Sequence, residues 1–81
     1  MNQSHAHEMI LDSLAGIAPE VDPATVDPAG ELQVEFDLDS LDFLNLVEGV
    51  SKAAGFDIPE RDYPAIATLS DFTDYLVRTA P

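Results

Sequence analysis

The sequence predicts an all-α fold: a small bundle of three main helices and one short helix, with a long loop between the first and second helices. Three segments place apolar residues at helical spacing, and each lies between residues that typically begin or end a helix. Three prolines within residues 19–28 exclude a regular helix from the loop. The 81 residues suffice for one domain, which we expect to span residues 1–81 with its core over about 4–79.

The first helix is predicted from about Ser4 to Gly16. Ser4 is the expected N-cap, and Gly16 and Pro19 should end the helix. One face repeats apolar side chains at helical spacing: Ile10, Leu11, Leu14 and Ile17.

Residues 18–39 form the long loop. Its apolar side chains are expected to pin it to the core: Val21, Val26, Leu32, Val34, Phe36 and Leu38. The alternation of apolar and polar residues over 31–38 is a weak strand signal. We reject a strand, because no second segment offers to pair with it.

The second helix is predicted from Ser40 to Ala54, with Gly55 as its C-terminal stop. Its apolar face consists of Leu41, Leu44, Val47 or Leu46, Val50 and Ala54. Gly49 inside the helix costs up to about 1 kcal/mol relative to alanine, which indicates close packing at that position. Pro59 begins a short helix that should reach Tyr63, where Pro64 limits it.

The last helix begins at Thr68, which has capping-box spacing to Asp71. Its apolar face consists of Phe72, Tyr75, Leu76 and Val77. Arg78 near its end suits the helix dipole.

Charge and composition restrict the function. Sixteen acids oppose three bases, and the net charge of −13 argues against nucleic-acid binding and predicts partners with basic patches. The chain has no cysteine, so it lacks a thiol nucleophile of its own. No apolar run approaches the roughly 18 residues of a membrane helix, and the N-terminus does not resemble a signal peptide. We therefore expect a cytoplasmic protein, and a monomer.

Ser40 is the candidate functional residue. It lies between Asp39 and Asp42, at the start of a strongly patterned helix. Its hydroxyl should be exposed at the positive end of the helix dipole, where an attached anion is favoured. No histidine is nearby in sequence to activate it, so we interpret it as an acceptor of chemistry done by other enzymes. The alternative is an ordinary helix-capping serine, with Asp39 as a neighbouring cap.

The Asp39-Ser40-Leu41 motif resembles the attachment motif of acyl carrier proteins and related phosphopantetheine-binding domains. The resemblance covers residues from about 8 to 78. It includes four further segments: Leu46-Val47, Phe56-Asp57-Ile58-Pro59, Ile66-Ala67-Thr68-Leu69 and Asp74-Tyr75-Leu76.

The resemblance implies that Ser40 accepts 4′-phosphopantetheine from coenzyme A, through a magnesium-dependent phosphopantetheinyl transferase. The thiol of the arm then carries an acyl group as a thioester, and the chain itself is not an enzyme. Asp39 and Leu41 complete the cofactor-binding motif, with Asp39 directed to magnesium or to basic groups of the transferase. The residues implied to recognise partner enzymes are Asp37, Asp42, Asn45 and Glu48. An acyl cleft between the second and last helices would be bordered by Leu44, Val47, Ile66 and Leu76.

Departures from the family pattern predict a specialised carrier. Asp37 stands where glycine is usual, and Leu38 replaces a smaller residue. In the second helix, three positions that are often acidic hold Asn45, Ser51 and Lys52. We expect a dedicated loading ligase or transferase and downstream synthase enzymes as partners. The alternatives are a discrete aminoacyl or peptidyl carrier of a secondary-metabolite pathway, or an unmodified acidic interaction module of the same fold.

Metal-site and enzyme interpretations are weaker. Asp37, Asp39 and Glu48 fall at positions 1, 3 and 12 of a calcium loop, but positions 5 and 6 do not fit and a strong helical pattern overlaps it. His5 and His7 near the N-terminus lack a third ligand in the sequence and are expected in a solvated tail. Neither a general base nor an oxyanion device is visible for Ser40.

Overall fold

The predicted all-helical bundle is confirmed by a computed structural model, which describes residues 1–80; Pro81, the last residue of the predicted domain, lies outside them. The long helices are α1 (Gln3–Ile17), α3 (Ser40–Ala54) and α4 (Leu69–Thr79). A single-turn helix, α2 (Leu32–Glu35), and a 3₁₀ turn (Pro23–Thr25) lie in the long loop. A second 3₁₀ stretch, here called the 3₁₀ segment, spans Glu60–Ile66.

Helix α1 begins and ends one residue beyond the predicted limits. Asn2 is its N-cap, since its side chain accepts a hydrogen bond from the His5 amide at 2.8 Å, and the assignment of this role to Ser4 was wrong. Gly16 does not end the helix, which continues to Ile17. A helical glycine costs only about 1 kcal/mol, so packing outweighs it here. His5 and His7 are part of α1 and do not lie in a solvated tail.

The core joins all three long helices. Helix α1 packs against both α3 and α4. Gly49 allows a close approach of α1 to α3, because a Cβ atom there would lie 3.3 Å from Ser13 Oγ, which confirms the close packing expected at this glycine. The largest fully buried side chains are Phe36, Phe72, Ile10, Leu14, Leu32, Leu46, Ile66, Leu76 and Val50.

The long loop is fastened to α4 through its backbone. The Leu32 amide donates to Ala67 O at 2.8 Å, and the Ser70 amide donates to Pro28 O at 2.9 Å. The rejection of a strand over 31–38 is confirmed, because residues 32–35 form the helical turn α2. Glu31 makes an isolated antiparallel bridge with Thr68, which is not part of a strand. Leu32, Phe36 and Leu38 pin it as predicted. Val34 does not, since 70% of its side chain is exposed on the outer side of α2.

Helix α3 has the predicted limits, and Gly55 closes it with a left-handed φ of 81°. Its core face is narrower than predicted: Leu46, Val47 and Val50 are buried, whereas Leu41 and Leu44 are 65% and 43% exposed. The reason is geometric, because nine residues at 3.6 per turn place Leu41 about 180° from Val50.

The C-terminal elements follow the sequence pattern with one difference. The 3₁₀ segment continues through Pro64 to Ile66, beyond its expected end. Thr68 caps α4 by accepting from the Asp71 amide at 3.0 Å, and the reciprocal bond of a capping box is not found among residues 1–80. None of the helices in the described part of the chain is both long and apolar enough to cross a membrane.

Candidate functional site

A tight helix C-terminus leads the chain to Ser40. Asp37 has a φ of 53°, its amide donates to Val34 O at 3.3 Å, and the Leu38 amide donates to Gln33 O at 2.8 Å. This pair of bonds is the Schellman motif, in which the residue with positive φ is usually glycine. Aspartate is among the few other residues that adopt this conformation readily. Leu38 is buried directly after the turn, which anchors the backbone two residues before Ser40.

Asp39, and not Ser40, caps helix α3. Asp39 Oδ1 accepts from the Asp42 amide at 2.8 Å, and Asp42 Oδ2 accepts from the Asp39 amide at 3.3 Å, which together form a capping box. Ser40 is the first helical residue and is exposed. Its hydroxyl makes no hydrogen bond within residues 1–80. The alternative, in which Ser40 is an ordinary helix cap, is therefore contradicted, and its hydroxyl is available for chemistry.

The electrostatic environment of Ser40 combines two opposing effects. The free amides at the start of a 15-residue helix favour an anion. The carboxylates of Asp37, Asp39 and Asp42 disfavour one at the same place. In the capping box, Asp39 and Asp42 each use one carboxylate oxygen for the described bonds, so the second oxygen of each can face a cation or a basic partner.

A groove of about 450 Å³ begins at Ser40 and is here called the Ser40 groove. It runs between α3 and the 3₁₀ segment, beside the short helix α2. Its lining is mixed: Glu31, Gln33, Ser40, Phe43, Leu44, Glu60, Tyr63, Pro64 and Ala67. The groove therefore offers both polar and apolar contacts to a molecule bound beside Ser40.

A second groove of about 640 Å³ lies farther along α3 and is here called the Phe56 groove. Its lining residues are Val47, Glu48, Ser51, Lys52, Gly55, Phe56, Asp57, Ile58 and Tyr63. Tyr63 borders both grooves and is held against α3 by an edge-to-face contact with Phe43, with ring centroids 5.9 Å apart. The two grooves thus follow the same side of α3.

The 3₁₀ segment is fastened to α4 behind the grooves. The Tyr75 hydroxyl donates to Asp62 Oδ2 at 2.8 Å, and Tyr75 stacks on Phe56 with centroids 6.5 Å apart. Burial, together with the hydrogen bond and the charge of Asp62, raises the pKa of Tyr75. Sequence reasoning missed Tyr63 and the Tyr75–Asp62 bond as parts of the site. The sequence pattern indicated only that Asp62 and Tyr63 belong to a short helix, and the separation of 13 positions between Asp62 and Tyr75 hides their contact.

The predicted acyl-cleft residues do not border one common groove. Leu44 lines the Ser40 groove and Val47 lines the Phe56 groove. Ile66 and Leu76 are fully buried in the core and line neither. An acyl chain would reach these two only if the elements packed around them moved apart.

The predicted partner-recognition residues surround the start and outer side of α3. Asp37, Asn45 and Glu48 are exposed, while Asp42 is half-buried by its role in the capping box. Leu41 of the attachment motif is 65% exposed beside Ser40.

The calcium-loop alternative does not agree with the structure. Residues 40–48, which would form most of that loop, are helical. Within residues 1–80 no group of three potential ligands among His, Asp and Glu comes together, including around His5 and His7.

Comparison with known proteins points to one family. Residues 8–76 match the family model described as a phosphopantetheine attachment site. The acyl carrier protein of Rubrobacter xylanophilus is 30% identical over 73 residues, which cover 86% of this chain and 90% of the relative. The match includes the capping box, Ser40 and both grooves.

Proposed function

The chain belongs to the family of acyl carrier proteins and phosphopantetheine-binding carrier domains, and we propose that Ser40 is the residue that receives the 4′-phosphopantetheine arm of coenzyme A. The observation that carries the proposal is the exposed hydroxyl of Ser40. Ser40 is the first residue of α3, and its hydroxyl does not cap the helix because Asp39 does. The serine has no other structural role in the described residues that would explain its placement.

The surroundings of Ser40 fit such an arm. A phosphodiester on Oγ would lie at the amide-rich start of α3, and the Ser40 groove offers both polar and apolar walls along α3. Leu41 and Asp39 flank the attachment point. When bound, the arm supplies a terminal thiol that holds an acyl group as a thioester. The chain contains no cysteine and could not supply that thiol itself.

The chain is proposed to act as a substrate of other enzymes. A phosphopantetheinyl transferase would attach the arm with magnesium, and the second carboxylate oxygen of Asp39 would face that ion or basic groups of the transferase. Asp37, Asp42, Asn45 and Glu48 would contact the partners. We place this single carrier domain, as a monomer, in the cytoplasm.

The cargo is proposed to be an acyl group that a dedicated loading ligase or transferase attaches to the arm. Synthase enzymes would then take the acyl group from the carrier. The departures in and before α3 favour a specialised carrier: Asp37 in the turn, and Asn45, Ser51 and Lys52 on the helix. An aminoacyl cargo is the second candidate, because Glu48 and Asp57 outnumber Lys52 in the lining of the Phe56 groove and would attract its ammonium group.

Mass spectrometry tests the assignment of Ser40. The chain is incubated with coenzyme A, magnesium and a broad-specificity phosphopantetheinyl transferase. We expect the wild type to gain the mass of one phosphopantetheine group and Ser40→Ala to gain none. Ser70→Ala is the matched control, because Ser70 is also an exposed serine in the first turn of a helix and beside an aspartate. A wild type without the added mass, or a modified Ser40→Ala variant, would contradict the proposal.

A further inference from the structure

Glu35 ties the short helix α2 to the loop that precedes it. It is the last residue of α2 and is half-buried. Its Oε1 accepts a hydrogen bond from the Asp27 amide at 2.7 Å. A Cβ atom on Gly30 would lie 2.9 Å from both Cγ and Oε2 of Glu35. The turn of residues 27–30, here called the 27–30 turn, therefore closes around this carboxylate.

Gly30 provides space for the Glu35 side chain. Its φ is not positive, so the backbone at this position does not itself require glycine. The contact of 2.9 Å is closer than a real Cβ atom tolerates, so a side chain on residue 30 would displace the Glu35 carboxylate. The absence of a side chain at Gly30 thus permits the hydrogen bond between Glu35 and Asp27.

The 27–30 turn is fixed by its own hydrogen bonds and by α4. Asp27 Oδ1 accepts from the Ala29 amide at 3.0 Å, and the Gly30 amide donates to Asp27 O at 3.0 Å. Pro28 O accepts from the Ser70 amide, in the first turn of α4, at 2.9 Å. The hydrogen bond at the Asp27 amide therefore joins the end of α2 to a fixed part of the bundle.

Helix α2 needs such support because it is a single turn. Four helical residues are not stable alone, since the first turn orders several residues for one hydrogen bond. Leu32 and Phe36 are buried and hold α2 to the core, while Glu35 holds its last residue to the 27–30 turn. The Schellman turn at Asp37 bonds to α2 carbonyls and leads directly to Ser40. The direction in which the chain reaches Ser40 therefore depends on the position of α2.

We propose that Glu35 is a positioning residue for the attachment reaction at Ser40. Its hydrogen bond to the Asp27 amide keeps α2, and with it residues 37–39, in the conformation that a phosphopantetheinyl transferase binds. This inference rests on the proposed function for the identity of the reaction. Without the bond, α2 samples further positions, and the transferase binds only the fraction of molecules in the native one. The KM for the carrier then rises, whereas kcat of the bound complex is unchanged.

Steady-state kinetics with a broad-specificity phosphopantetheinyl transferase test the proposal, with the carrier concentration varied at saturating coenzyme A and magnesium. We expect Glu35→Ala to raise KM about fivefold or more and to change kcat less than about twofold. Alanine is the best helix former, so this substitution does not weaken α2 through its intrinsic propensity. Glu35→Gln should keep KM within about twofold of the wild type, because the glutamine side-chain oxygen can accept the same hydrogen bond.

Gly30→Ala breaks the same contact from the other side. We expect it to raise KM about as much as Glu35→Ala does, because the added methyl group displaces the carboxylate. The double variant should be no worse than either single variant, since a shortened side chain at position 35 no longer meets that methyl group. Asn2→Ala is the stability control, because it removes the N-cap of α1 and leaves the Glu35 bond in place. It should lower the melting temperature and keep the wild-type KM.

Amide hydrogen exchange gives a second measurement that does not depend on the transferase. Glu35→Ala and Gly30→Ala should lose protection at the Asp27 and Leu38 amides, whereas Glu35→Gln should keep it. A wild-type KM in Glu35→Ala, equal KM values for Glu35→Ala and Glu35→Gln, or unchanged protection at Leu38 would each overturn the proposal.

The two proposals fail in different ways. A wild type that is never modified contradicts the attachment at Ser40. The exchange of the Leu38 amide still decides, in that case, whether Glu35 holds the segment before Ser40 in place.

Discussion

Asp37 holds its backbone at a φ of 53°, three residues before the serine proposed to carry the arm. The conformation follows from its place in the Schellman turn that ends α2, where both the Asp37 and Leu38 amides reach back to α2 carbonyls. From the sequence, the resemblance to the family showed only that aspartate stands where glycine is usual, without the conformational reason. The structure supplies the reason for the glycine, and shows that aspartate keeps the turn while adding a charge three residues before Ser40.

Ionisation of Tyr75 makes the free energy of unfolding depend on pH in the alkaline range. Burial first, and then the hydrogen bond to Asp62, raise the pKa of Tyr75 in the folded state above its ordinary value near 10. The unfolded chain therefore releases this proton at lower pH than the folded chain does. The stabilisation from Tyr75 is fully present below pH 10 and is lost as the pH rises through the folded-state pKa.

We expect the free energy of unfolding of the wild type to fall more steeply above about pH 10 than that of Tyr75→Phe. Urea titrations at several pH values measure both. At pH 8 the variant should be less stable by about 1 kcal/mol, because the bond to Asp62 is lost. Tyr63→Phe is the control and should keep the steep loss, since it retains Tyr75. Parallel pH profiles for the wild type and Tyr75→Phe would contradict this account.

At the scale of elements, the reciprocal bonds of Asp39 and Asp42 explain why α3 begins where it does. Asp39→Ala removes the cap, and we expect it to lower the free energy of unfolding by about 1 kcal/mol and the melting temperature by about 4–8 °C. Asp39→Asn is the matched control, because asparagine caps equally well and removes the same charge. Circular dichroism melts would separate the two. A comparable loss of stability in Asp39→Asn would show that charge, and not capping, is responsible.

The predictability of each element depended on whether its limits are set locally. Helix α3 was predicted over its full length because Asp39 and Gly55 terminate it by their own conformations. The start of α1 was not predicted correctly, since Asn2 and Ser4 can both act as an N-cap and only packing decides between them. Ser40 was proposed as the attachment residue from its local motif. The two grooves and the exposure of Leu41 and Leu44 were not predicted, because they depend on which side of α3 meets α1 and α4.

At the scale of the whole molecule, the net charge of −13 opposes the compact state. Two like charges 10 Å apart in water repel by about 0.4 kcal/mol. The screening length falls from about 30 Å at 0.01 M salt to about 8 Å at 0.15 M salt, so many such pairs are relieved together. The seven acids of residues 18–39 lie close in sequence and should contribute much of this repulsion.

We therefore expect the melting temperature to rise by several degrees between 0.01 M and 0.15 M sodium chloride, and to rise similarly with a few millimolar magnesium. The loop variant with Glu20→Gln, Glu31→Gln and Asp37→Asn provides the control. It should melt higher than the wild type at low salt and gain less from added salt, because part of the repulsion is already removed. Calorimetry of both proteins across the salt series measures the difference. A melting temperature unchanged by salt and magnesium would mean that the acids are too well solvated to strain the fold, and that their number serves recognition alone.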